Sequence, residues 1–200
     1  MRLILIRHGH TSSNALRVLD TGVPGADLDE TGRRQADELV GRLAAEAVDA
    51  VYSSDLARAQ QTAAPLASAR GLEVAVLPGL REIQAGDDEM AAWGSHGYVA
   101  TVQEWARGRW EVGTPGGEDG FAFFGRFDAA IAAVAAAGHD AAALVSHGAA
   151  LRVWCSQRID GFDEALGGES GFANTGYVIV DGGPDAGWRL VGADGVHRWD

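Results

Sequence analysis

Four consecutive apolar residues, Leu3-Ile4-Leu5-Ile6, run without a polar break into Arg7-His8-Gly9. A run this short and uniformly apolar has no side meant for water. It fits a strand covered on both faces, as in a parallel sheet held between two layers of helices. Such a sheet needs crossover helices, so helices must alternate with strands along the chain. The pattern does so. Leu28 to Ala47 carries Leu39, Val40, Leu43 and Ala44 at helical spacing behind Asp29-Glu30-Thr31. Asp49 to Ser54 reads as a second strand and Leu56 to Ala69 as a helix stopped by Gly71. Glu73 to Leu77 reads as a third strand, stopped by Pro78-Gly79. Phe127 to Ala137 is an Ala-rich helix ending at Gly138, followed by a strand at Ala141 to Ser146 and a helix at Ala149 to Gln157. Tyr177 to Val180 and Trp188 to Val191 form a hairpin around Gly182-Gly183-Pro184. The expectation is an α/β fold: a three-layer sandwich with a mostly parallel central sheet, helices on both faces and a small helical cap.

The cap is the stretch from Gly86 to Phe127, which breaks the strand–helix rhythm and is rich in Gly and aromatics. Packing the cap is the expected role of most of Trp93, Tyr98, Trp105, Trp110, Phe121, Phe123 and Phe124; lining a pocket is the alternative. No repeat or linker-like change of composition interrupts the chain, so residues 1–200 read as a single domain with a cap at about 86–127.

Twenty-eight Asp and Glu against 16 basic residues give a net charge of −12. A field of that sign disfavours nucleic acid and anionic membranes as partners. All the basic residues are Arg, which excludes a P-loop, with its phosphate-binding Lys, and every Schiff-base mechanism. A single Cys, Cys155, excludes an intrachain disulfide and a Cys-rich zinc site, and on an apolar helical face it reads as core. The first apolar run is too short for a signal peptide or a membrane span, so the expected location is cytoplasmic.

In open parallel sheets, ligands bind where loops leave the carboxyl ends of the strands. Those loops here carry Arg7-His8-Gly9, then Ser53-Ser54-Asp55 with Arg58, then Arg81-Glu82, then Ser146-His147-Gly148. Two His, several Arg and a Glu thus converge from four separated segments. A phosphoryl group calls for such a set, since Arg offers a planar fork and a helix N-terminus adds backbone N–H groups.

These residues resemble the histidine phosphatase superfamily, also called phosphoglycerate-mutase-like. The likeness starts at Arg7-His8-Gly9-His10-Thr11 with Asn14. It continues through Thr31-Gly32 with Gln35, Ser53-Ser54-Asp55-Leu56 with Arg58, Leu80-Arg81-Glu82-Ile83 with Gly86 and Glu89, Pro115-Gly116-Gly117-Glu118, and Ser146-His147-Gly148. The resemblance implies that His8 is the nucleophile that becomes phosphorylated and Glu82 the proton donor. It also implies that Arg7, Asn14, Arg58, His147 and the Gly148 backbone hold the phosphoryl group, with Thr21 and Gly22 beside the substrate. No metal and no cofactor is expected: two guanidiniums and a protonated His147 would carry the charge. The implied partner is a small-molecule phosphate ester, and a homodimer is the expected assembly. This chain departs from the family pattern at Thr21-Gly22 and Asp27-Leu28-Asp29, where Gln-Gly and Pro-Leu-Thr usually stand, and at Met90, where Gly usually follows Glu89.

Simpler roles compete at several positions. Asn14 suits a helix cap, Arg58 a surface ion pair and Glu82 a solvated loop acid. Arg107 and Arg109 suit the surface better than a second anionic group, and His10, His96, His139 and His197 read as surface residues. Asp27-x-Asp29 sits in a Gly/Pro loop rather than at the end of a buried strand, against a magnesium-dependent aspartyl phosphatase. Cys155 is followed six residues on by Gly161, where a Cys-dependent phosphatase needs Arg. Two alternatives remain: a cofactor-dependent phosphoglycerate mutase using the same phosphohistidine, and a non-catalytic phosphate-ester binding protein. Only 32 residues separate Glu82 from Pro115, less than the insertion of the mutases, which favours a phosphatase.

Overall fold

The computed structural model describes residues 1–94, 97–166 and 170–198. In chain order the elements are β1 (Arg2–Arg7), α1 (Ser12–Leu16), α2 (Glu30–Arg42), β2 (Ala50–Ser53), α3 (Ala57–Arg70), β3 (Val74–Val76), α4 (Gly97–Ala106), α5 (Gly120–Ala136), β4 (Ala141–Ser146), α6 (Gly148–Arg158), α7 (Phe162–Ala165), β5 (Ser170–Gly183) and β6 (Gly187–Arg198). The strands form one sheet in the order β3-β2-β4-β1-β5-β6. β1 to β4 run parallel; β5 pairs antiparallel with β1, and β6 antiparallel with β5.

The apolar run that opens the chain is covered on both sides, because successive strand residues point to opposite faces. Leu3 and Leu5 of β1, with Ala142 and Leu144 of β4, pack against Tyr98, Trp105, Phe123, Phe127 and Trp154 from α4, α5 and α6. Ile4 and Ile6, with Ala143 and Val145, pack against Leu39, Ala63 and Leu66 from α2 and α3. Leu3 to Ile6 are all 0% exposed. Burying such side chains contributes about 1.5–3 kcal/mol each, so this short run anchors both cores.

The structure departs from the sequence reading at several ends. α2 stops at Arg42 rather than Ala47, and Leu28 instead bridges to Thr11. α5 begins at Gly120 rather than Phe127, because Asp119 caps it by accepting from Ala122 N at 2.8 Å. Phe123 and Phe124 are therefore buried helix residues, while Phe121 on the same helix is exposed. β5 and β6 are far longer than the four-residue runs expected. Register shifts between Phe172 and Tyr177 and between Ile179 and Val180 interrupt the alternation that would have revealed them. α1, a single turn capped by Thr11, carried too little apolar periodicity to be foreseen.

Cys155 is fully buried and unpaired. Among the surface His, His10 is instead half-buried with Nδ1 on Asp29 at 2.6 Å, and His96 lies outside the described residues. Arg107 and Arg109 are exposed beside Glu104. Among the described residues no helix is long and apolar enough to cross a membrane.

Candidate active site

The order β2-β4-β1 brings the carboxyl ends of three parallel strands side by side. Arg7 is in register with Ser146, so the next residue of each strand, His8 and His147, must emerge as neighbours. Their ring centroids lie 5.1 Å apart. His8 N donates to Ser146 O at 3.0 Å, and Ser54 N, one residue past β2, donates to Val145 O at 3.0 Å. The Ser54 hydroxyl then reaches His147 Nε2 at 2.7 Å. Arg58, in the first turn of α3, points back over the sheet and donates from Nε to His8 Nε2 at 3.1 Å. Serine, two imidazoles and a guanidinium thus form one buried row.

Hydrogen bonding sets the state of each ring. Arg58 Nε has a proton and no lone pair, so His8 Nε2 must accept, and the His8 proton sits on Nδ1, which donates to Gly9 O at 2.7 Å. Ser54 Oγ accepts from Leu56 N at 3.4 Å and can donate its hydroxyl proton to His147 Nε2; in that tautomer the His147 proton sits on Nδ1. Burial, then the charge of Arg58, holds both imidazoles well below their ordinary pKa, with Arg7 adding to the effect. With no anion beside it, His147 is thereby held in its neutral form; the protonated form expected from the sequence belongs to a state with a phosphoryl group bound. Low dielectric and nearby guanidiniums both oppose a second cation.

Five buried side-chain nitrogen or oxygen atoms lack a hydrogen-bond partner among the described residues, and three of them belong to this row: Arg7 Nε, Arg58 Nη1 and His147 Nδ1. All three are donors. An unsatisfied buried donor costs about 1–3 kcal/mol, so Arg7 Nε and His147 Nδ1 suit an acceptor, and an anion above all, whereas Arg58 Nη1 has Asp20 Oδ2 at 3.7 Å. Arg7 is anchored through Nη1 on Phe172 O, and Arg58 through Nη2 on Asp20 O at 2.7 Å. Gly148 opens α6 beside them. A Cβ there would stand 3.2 Å from Arg7 Nε, so glycine keeps that nitrogen accessible.

Three further segments, α2, α3 and β5, hold the His8 loop. His10 N donates to Gln35 Oε1 and Gly9 N to Thr62 Oγ1, both at 2.9 Å. Gly32 passes so close that a Cβ would lie 2.1 Å from His10 O. Asn174, absent from the sequence reading, donates to His8 O and to Asn14 Oδ1, each at 3.1 Å. Asn14 Oδ1 also accepts from Thr11 N in the capping box of α1, so only the Asn14 Nδ2 amide remains for a ligand.

Glu82 closes the other side. Its carboxylate accepts from Ile83 N at 2.9 Å, Ala149 N at 3.1 Å and Ala150 N at 2.7 Å, the last two from the first turn of α6. Burial raises its pKa, against the opposing pull of those amides and of Arg58. The segment carrying it is tied down by Arg126, which donates to the carbonyls of Gly79, Arg81 and Glu82 and pairs with Glu118.

A cavity of about 320 Å³ lies against Arg7 and Glu82. Arg7, Glu82, Gly148 and Ala149 line it together with Arg17, Trp93, Gly171, Phe172 and His197. His8, Arg58 and His147 are buried and are not among its lining residues. Thr21 and Gly22 do not line the cavity: Thr21 N, Thr21 Oγ1 and Gly22 N all donate to the carboxylate of Glu89. Of the cap aromatics, Trp93 faces the cavity, whereas Tyr98, Trp105, Phe123 and Phe124 are core. Met90 has φ +62°, which accounts for the glycine usual at that position. Among the described residues no group of three or more His, Cys, Asp and Glu is arranged to hold a metal ion.

The family model described as "Histidine phosphatase superfamily (branch 1)" matches residues 3–193. PE-PGRS family protein PE_PGRS11 of Mycobacterium tuberculosis is 35% identical over 96% of this chain, which spans 36% of that protein's length. A probable phosphoglycerate mutase, GpmB of Yersinia enterocolitica, is 38% identical over 43% of this chain and 40% of its own. The structure of the mycobacterial glucosyl-3-phosphoglycerate phosphatase Rv2419c with VO3 matches with TM-score 0.78 and 27% identity, covering 95% of this chain and 96% of that one.

Proposed function

The chain belongs to the histidine phosphatase superfamily (branch 1), and from that premise and the site we propose that it is a metal-independent phosphomonoesterase acting on a small phosphate ester through phospho-His8. The carrying observation is a buried, neutral His8 imidazole under the Arg58 guanidinium and next to that of Arg7, with Arg7 Nε and His147 Nδ1 buried without partners. The cavity lies at the small-molecule end of ligand sites, which favours a compact ester over a phosphoprotein.

In this reading the phosphoryl oxygens take Arg7 Nε, His147 Nδ1 and the Gly148 N–H, and draw Arg58 Nε away from His8 Nε2 onto themselves. The released lone pair attacks phosphorus in line with the ester oxygen. The N–P bond forms, the P–O bond breaks, and protonated Glu82 delivers its proton to the departing alkoxide. Glu82, now ionised, takes a proton from water. The resulting hydroxide attacks phospho-His8, the N–P bond breaks and inorganic phosphate leaves. Charge on the equatorial oxygens is met by two guanidiniums and the α6 N-terminus, so no step calls for a metal. His147 enters neutral and gains a proton affinity only when the phosphoryl dianion sits beside it.

The test has two arms. Enzyme quenched during turnover of a labelled ester should carry acid-labile, base-stable label on His8 and lose it in His8→Ala, with phosphate released steadily and activity unaffected by EDTA. Interconversion of 2- and 3-phosphoglycerate dependent on the bisphosphate would instead make it a mutase, and ester binding without either reaction a binding protein.

A further inference from the structure

We propose that Glu118 and Arg126 are positioning residues whose work is to hold Glu82 at the angle from which it can protonate a leaving oxygen; the inference rests on the proposed role of Glu82. Residues 79–84 include only a single turn of 3-10 helix, at Pro78–Leu80. Yet all six carbonyls of 79–84 accept a side-chain hydrogen bond. Arg126 serves Gly79, Arg81 and Glu82, each at 2.9 Å. Ser146 Oγ serves Leu80 at 2.8 Å, Tyr98 Oη serves Ile83 at 3.3 Å, and Thr114 Oγ1 serves Gln84 at 2.8 Å. Glu118 adds an acceptor for Gln84 N at 3.0 Å.

A surface loop ordinarily gives its carbonyls to water. This one spends four side chains from α4, β4, α5 and the segment before α5 on fixing the backbone on both sides of Glu82. Arg126 is the hub, since only a planar guanidinium reaches three carbonyls and a carboxylate at once, and that guanidinium lies over Phe123, 5.0 Å from the ring centroid. Glu118, 8% exposed, neutralises that cation, so Arg126 grips the loop by geometry without adding a free charge beside Glu82. A proton donor misplaced by an ångström loses much of its effect, which is the physical reason for so complete a cradle.

Leaving-group dependence separates this role from simple structural support. An alkyl phosphate needs a proton on its leaving oxygen, whereas a nitrophenyl phosphate does not. Glu82 also activates the water that hydrolyses phospho-His8, a step shared by both esters, so the split is read in kcat/KM. Arg126→Lys and Glu118→Gln should each lower kcat/KM for the alkyl ester by about 10- to 100-fold, while kcat/KM for the nitrophenyl ester falls by less than about threefold. Tyr98→Phe, a milder loosening of the same loop, should show the same split at smaller size and keeps the test open if a charge variant does not fold. Glu82→Gln is run alongside. If Glu82→Gln shows the split and the other variants slow both esters equally, or neither, the positioning claim falls alone. If Glu82→Gln shows no split, the proton-donor reading falls and the positioning claim with it.

Discussion

Arg58 Nε sits 3.1 Å from His8 Nε2, directly on the one lone pair that the His8 ring has to offer. The other ring nitrogen is committed to Gly9 O, so the atom proposed as nucleophile and its cover are both determined by hydrogen bonding. Arg58 is only 3% exposed and anchored at the Asp20 carbonyl, with Asp20 Oδ2 a further 3.7 Å from Nη1. Removing it should uncover His8 and still cost activity, because the transition state loses a guanidinium. We expect Arg58→Ala to lower kcat by about 10²- to 10³-fold, as loss of an oxyanion donor does. Steady-state kinetics on a nitrophenyl phosphate, together with vanadate inhibition, measures both losses. Unchanged vanadate affinity would remove Arg58 from the anion site.

The unsatisfied donors Arg7 Nε and His147 Nδ1 should make the fold more stable when an anion fills the proposed site. Inorganic phosphate or vanadate at about 100 times its Kd should add about 2.7 kcal/mol, read as a rise in melting temperature. The rise should be much smaller in Arg7→Ala. A chloride series at equal ionic strength separates site filling from general screening.

Acid should destabilise the ligand-free protein from a higher pH than carboxylate chemistry alone would set. His8 and His147 stay neutral in the folded state, while the unfolded chain takes up protons below the ordinary imidazole value of 6.5. Below that pH the unfolded state therefore binds more protons, and stability falls by up to about 1.4 kcal/mol per pH unit for each ring. Glu82 has the opposite sign: its raised pKa favours the folded state below the ordinary 4.5, a contribution lost as pH rises through the folded value. Urea titrations between about pH 5 and 7.5 should show the imidazole slope, reduced in His147→Gln. A flat profile would mean that the rings protonate in place.

Met90 holds a left-handed backbone with its side chain 58% exposed. A non-glycine residue there costs about 1–2 kcal/mol of local strain, part of which glycine would return as chain entropy. Met90→Gly should therefore leave stability unchanged or raise it by up to about 1 kcal/mol, with kcat unaffected. Equilibrium denaturation checks the first and initial rates the second. A loss of stability would show that the exposed Met90 side chain makes a contact worth more than the strain.

Local pattern was enough to define the layers and the loops that matter. Leu3–Ile6 and Ala141–Ser146 are apolar on both faces, and a strand of that kind has one place to go, between two layers of helices; β1 and β4 follow. Once those strands are parallel neighbours, the polar residues after them must meet, so His8, His147, Arg58 and Glu82 were readable as a group before any coordinate. Packing decided the rest. Arg126 grips the Glu82 carbonyl from 44 residues away and Asn174 grips His8 O from 166 away, and no spacing in the chain announces either. The neutral state of His147 comes from enclosure and neighbouring guanidiniums, and the diversion of Thr21 and Gly22 to Glu89 from a contact across 68 and 67 residues. Strand and helix patterns arise from neighbours along the chain, whereas hydrogen-bond partners, tautomers and charge states depend on which distant groups share a dry volume, and that is a property of the folded molecule.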